Sequence, residues 1–165
     1  MTGIGFLVAL RAGDHFGLGS ASRGLLLASF GLAGMVLGRP AGMAVDRRGR
    51  IPVAVAGALA TSAVIASIGL AGSGASLALL WLAAGAGSAF VWAGLNTLAV
   101  EAVPANRAGA TSVFGAFKFA GSAVAPMLWL PLYQGNAQLA FLAPATATAA
   151  VAVLCLTLRA GPGLR

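Results

Sequence analysis

Long apolar runs alternate along this chain with short turns rich in Gly, Ser and Arg. Within the runs the apolar positions are nearly continuous, without the period-two alternation of a half-buried strand. Five runs are long enough to cross a bilayer, at residues 24–45, 51–71, 77–102, 108–133 and 139–158. The first of these gives about 33 Å of helix at 1.5 Å per residue, a full hydrocarbon thickness. A sixth stretch, residues 3–12, is too short and reads as the outer end of a helix whose first half is missing. The pattern predicts an all-α polytopic transmembrane bundle, one domain over residues 1–165, with five full spans and one partial. A transmembrane barrel is excluded, because its strands would alternate apolar and polar residues.

Composition agrees with lipid as the solvent. Hydrophobic residues are 59% of the 165 and charged residues only 8%, where soluble domains carry about a quarter. The net charge of +7 raises the question of a nucleic-acid partner. The basic residues sit at the ends of apolar runs with no interleaved aromatic platforms, so the reading is a lipid bilayer and no nucleic acid. The first run has no basic residues ahead of it and is not a secretory signal. Cys155 lies inside an apolar run, forms no intrachain disulfide and is expected to pack.

Orientation follows from the turns. Arg47, Arg48, Arg50, Arg107, Arg159 and Arg165 fall on one side, which should be the cytoplasm. The other side holds Arg11 and Arg23, partly offset by Asp14. This implies a multi-pass protein of the cell membrane with its C-terminus inside. Trp81, Trp129 and Tyr133 are expected at the opposite interface, where amphipathic rings settle. Ser20 or Ser22 is a candidate cap for the second segment. In the fifth segment Gly115, Ala116, Ala120, Gly121 and Ala125 recur at spacings near four, a row that should let neighbouring helices approach closely.

The charges of the chain concentrate in Gly38–Arg50, "GRPAGMAVDRRGR", between the second and third segments. Gly42 is expected to admit a neighbouring helix, and Gly49 to take the left-handed turn that a very short connection needs. Asp46 at a helix C-terminus is disfavoured by the dipole, so an arginine or another helix N-terminus should hold it. The pattern Gly42-x-x-x-Asp46-Arg47-x-Gly49-Arg50 resembles the loop signature of the major facilitator superfamily of secondary transporters. Arg48 departs from it where an aromatic residue is frequent, and Ile51 where a further basic residue is usual. The resemblance implies that Asp46 braces one half of a transporter against the other. A loop that only sets topology is the plainer alternative.

In that family the fourth helix of the amino-terminal half carries an arginine ahead of a Gln-Gly pair. The matching stretch "WLAAGAGSAF" has Trp81 in place of the arginine and Ala84-Gly85 in place of the pair. With no long loop after the sixth segment, the resemblance implies the carboxy-terminal half, helices seven to twelve.

Lys118 is the candidate substrate-path residue. It stands about ten residues into its span, at a depth where a charge costs about 2.5–3.5 kcal/mol and normally faces a cavity or a partner. A substrate-anion contact is one reading, and a snorkelling side chain the other. Trp92 and Asn96, one turn apart, share a face and could line the same path or simply pack. Glu101 is expected to form a structural ion pair with Arg107 or with the arginines of the Gly38–Arg50 turn. His15 reads as a solvated loop residue and Arg39 as an interfacial one. Pro40, Pro126 and Pro144 are candidate kinks.

Soluble-enzyme signatures fail. "GLGSAS", "GAGSAF" and "GSGASL" follow no strand and complete neither a phosphate loop nor a dinucleotide motif. One His, one Cys and three acids make no metal site, and no nucleophile–base set is visible, so neither enzyme activity nor a cofactor is expected. The reading is a secondary active transporter of small solutes by alternating access, or half of one. Its expected partners are a small-molecule substrate, protons as a candidate coupling ion, and a separate amino-terminal half or a second copy. The alternative is a non-transporting membrane remnant or interaction scaffold.

Overall fold

The computed structural model describes residues 2–160, with no strand among them. A single 3-10 turn, Thr2–Ile4, leads into α1, Gly5–Asp14. Four longer helices follow: α2 Ser20–Arg48, α3 Arg50–Ile68, α4 Gly74–Ala102 and, after a second 3-10 turn Pro104–Asn106, α5 Arg107–Gly135. The last is α6, Ala137–Ala160. Five of these helices are long and apolar enough to cross a membrane, and the protein is a multi-pass helical bundle. The side chain of Arg159 and the whole of Arg165, both expected in a basic tail, lie outside the described residues.

Polar side chains set the helix starts. Ser73 and Ser76 form a reciprocal capping box at the start of α4. Asn106 accepts from the Gly109 N–H at 2.9 Å to open α5, and Asn136 accepts from the N–H groups of Gln138 and Leu139 to open α6. At α2 the expectation of a serine cap fails. The N-cap is Gly19, without a side-chain bond, and Ser20 and Ser22 lie inside the helix. Extended backbone at Gly19 starts the helix earlier, its carbonyl accepting from the Arg23 N–H at 3.0 Å. Pro40, Pro126, Pro131 and Pro144 lie within continuous helices.

One residue joins α2 to α3. Gly49 has φ +88° and ψ 160°, a region essentially reserved for glycine.

The bundle is organised around α4, packed between α2 and α3, while α3 also lies along α6. Glycines make these contacts close. A Cβ at Gly85 would stand 2.5 Å from the Phe30 carbonyl oxygen of α2. One at Gly57 of α3 would stand 2.8 Å from the Gly87 carbonyl oxygen of α4, and one at Gly94 would stand 2.6 Å from that of Arg50. Such approach supplies the dispersion and backbone contacts that hold helices together in lipid. The main buried core gathers at one end, where Leu7 and Val8 of α1 meet Ile65, Ile68, Leu77, Trp81 and Phe141. A smaller cluster, Val55, Ala58, Val91 and Ala152, lies toward the other.

Several expectations meet the packing here. Trp81 presents no ring to the lipid; it is only 4% exposed and its ring packs on Phe30 at 4.7 Å. Trp129 and Tyr133 are half-buried against the same core, where they tie α5 to α1. The small-residue row of α5 is not a packed face either. Ala125 is buried, but Ala116 and Ala120 are exposed and a Cβ at Gly115 or Gly121 would meet nothing within 4 Å. Gly42 likewise faces open space and admits no neighbour. Cys155 is exposed rather than packed.

Candidate functional site

Lys118 stands eleven residues into α5, about 17 Å along its axis. Its Nζ lies 4.3 Å from the centroid of the Trp92 ring on α4 and 5.8 Å from that of Phe119. Both contacts are within cation–π range, and such attraction grows as water is removed. Trp92 is itself fixed edge-on against Phe114, with centroids 5.9 Å apart. Beyond the two rings, the Lys118 ammonium has no hydrogen-bond or ion-pair partner among the described residues.

The ammonium borders a cavity of about 300 Å³ between the start of the chain, α4, α5 and α6. Its wall includes Ile4, Trp92, Ser122, Trp129, Pro144 and Thr148. Ser122 and Thr148 donate their hydroxyl protons to the Lys118 and Pro144 carbonyls, at 3.1 and 2.8 Å. A second chamber of about 400 Å³ opens between α3, α4 and α6, lined by Ala54, Ala58, Leu95, Val151, Ala152 and Cys155. Trp92, Ala147 and Thr148 border both chambers, so the two adjoin along α6, and together they are the trough.

Of the candidate path residues, the structure brings Lys118 and Trp92 together. Asn96 is exposed and borders neither chamber. A shift of one helical turn carries it past the trough.

The loop motif sits at the end of the bundle. Asp46, Arg47, Gly49 and Arg50 are exposed, and Asp46 has no hydrogen-bond or ion-pair partner among the described residues. The expectation of an arginine or helix terminus holding it is therefore not met. Glu101 is paired with Arg50 of that turn, one of the two partners the sequence allows, and not with Arg107. The cause is α4, whose end runs beside the first turn of α3 and brings the Glu101 carboxylate to that guanidinium, whereas Arg107 starts α5 beyond the Pro104–Asn106 turn.

Arg11 was not singled out from the sequence. It is only 8% exposed, and its guanidinium donates to the carbonyls of Gly69 at 2.8 Å and Ala71 at 3.3 Å. A cation at these carbonyls complements the negative end of the α3 dipole and ties α1 to the α3–α4 turn. The sequence signal was present, since Arg11 continues the apolar stretch "GFLVAL" into the helix and does not begin the loop.

A family model described as Major Facilitator Superfamily matches residues 1–164. The chain belongs to the major facilitator superfamily. Comparison with curated proteins and with solved structures gave no match. As a superfamily member with five candidate spans, the chain is a membrane protein of a transporter family. The trough beside Lys118 thus lies in a bundle whose relatives move solutes.

Proposed function

We propose that this chain forms one six-helix wall of a secondary active transporter that moves small solutes by alternating access, with Lys118 and Trp92 in the substrate path. One observation carries the reading. A lone ammonium at mid-depth of a membrane helix borders a cavity and is held by an aromatic ring, with no carboxylate to neutralise it. Intramembrane charges of that kind mark substrate and ion paths. The wall opposite is supplied by a second six-helix body, from another chain or a second copy. On this reading the chain is the carboxy-terminal half, seated in the cell membrane with the Arg47–Arg50 turn and the C-terminus in the cytoplasm.

The test is flux. Full chain in sealed vesicles is offered radiolabelled amino acids, sugars and carboxylates, with and without a proton gradient. The expected result is accumulation of at least one probe, lost in Lys118→Met and partly kept in Lys118→Arg. No Lys118-dependent flux from a folded bundle removes the second-copy arrangement, and none from a bundle paired with an amino-terminal half leaves the non-transporting scaffold in its place.

A further inference from the structure

The two chambers differ in chemistry, and the difference defines what fits them together. The chamber at Lys118 carries the ammonium, while the chamber beyond Trp92 is lined mainly by Ala, Val and Leu. Following α6, Pro144 and Thr148 border the charged chamber, and Thr148, Val151 and Cys155 the apolar one. The step from Thr148 to Cys155 is about 10 Å, the length of an alkyl chain of about eight carbons. The whole chain has three acids. Asp14 ends α1, Asp46 lies in the last turn of α2 and Glu101 in that of α4, so none reaches the trough. This chain brings no compensating charge to Lys118, and an anionic ligand supplies one.

We infer that the trough takes an amphipathic organic monoanion: a single acidic head at Lys118 and an unbranched apolar tail of about eight carbons along α6 toward Cys155. The inference rests on the reading of the trough as a substrate path, and it names the substrate class. One cation favours one negative charge, since a dianion would leave the second uncompensated at a depth where charge is costly. The tail covers Val151, 60% exposed, together with Leu95 and Ala152. The occupant is a free anion and not a bilayer lipid. A lipid holds its head at the interface and its tail at the midplane. Here the charge lies at mid-depth and the apolar chamber runs back toward the helix ends at Arg50, Ala102 and Ala160.

Cys155 reports occupancy, because it lines the apolar chamber and the sequence holds no other cysteine. The full chain in phosphatidylcholine nanodiscs is labelled with N-ethylmaleimide in the presence of sodium octanoate, octyltrimethylammonium or sodium acetate. Octanoate is expected to slow labelling saturably. Octyltrimethylammonium and acetate are expected to leave the rate unchanged, the first for its charge and the second for its lack of a tail. Lys118→Met should raise the half-protecting octanoate concentration about tenfold, the loss of one charge-assisted contact, and Lys118→Arg should restore it. Equal protection by the anion and the cation overturns the inference, and so does undiminished protection in Lys118→Met. The comparison of the two octyl probes needs only the wild-type chain, so a variant that misfolds does not remove the test. Octanoate protection without flux of any probe sinks the transporter reading and upholds the site. Lys118-dependent flux of another solute without protection does the reverse.

Discussion

Helices α4 and α5 are both 29 residues long and both rich in glycine and alanine, yet they end in different surroundings. In α4, Gly85, Gly87 and Gly94 press against the Phe30 backbone, Thr61 and the Arg50–Ala54 turn. In α5, Gly115 and Gly121 meet nothing, and Phe117, Phe119 and Met127 are more than two-thirds exposed at 75%, 71% and 76%. A row of small residues permits close approach and does not cause it. Lipid solvates an apolar helix face about as well as protein does, so no hydrophobic penalty forces α5 inward. What fixes α4 is shape, with a backbone groove on two sides that only glycine matches.

The widest gap between the two helices should appear on truncation of aromatic and long side chains. Trp81→Ala is expected to lower bundle stability by about 4 kcal/mol, whereas Met127→Ala on α5 should change it by less than about 0.5 kcal/mol. Denaturant titration in detergent, followed by helical circular dichroism, measures both. Equal losses would erase the contrast. The next effect is overpacking: Gly85→Ala drives a methyl into the Phe30 carbonyl and should cost about 3 kcal/mol in the same titration. Its counterpart Gly115→Ala meets open space and should be neutral, or gain up to about 1 kcal/mol from helix propensity.

Two smaller effects sharpen what holds α4 and its neighbours in place. Arg11→Met removes the guanidinium from the Gly69 and Ala71 carbonyls and should cost about 2 kcal/mol. The loss should show as faster hydrogen exchange at the α3–α4 turn. The Arg50–Glu101 pair joins the start of α3 to the end of α4, but its side chains are 47% and 44% exposed. A double-mutant cycle with Arg50→Met and Glu101→Gln should give a coupling below about 1 kcal/mol that shrinks as salt rises.

Helix number and order were legible because apolar run length reports lipid directly, and the turns were punctuated by Gly, Ser and Arg. The place of Lys118 within a span was legible for the same reason, since a charge among apolar residues is conspicuous, but its seat on Trp92 was not. Packing was not. Nothing in "GAFKFAGSAVA" distinguishes a glycine row facing a neighbour from one facing lipid, so α5 and Gly42 were read as contacts they do not make. Trp81 was read as interfacial because rings near a span's end often are, but the cleft between α1 and α2 claimed it. The partner of Glu101 depended on how α3 and α4 lie together, which local sequence does not encode.

Gly49 links α2 and α3 with a single residue, and one residue supplies only two soft torsions. With φ and ψ in a corner that side chains avoid, a Cβ there would force the joint into another shape. A Gly49→Ala change would therefore re-aim α2 against α3, and with them the groove that holds α4.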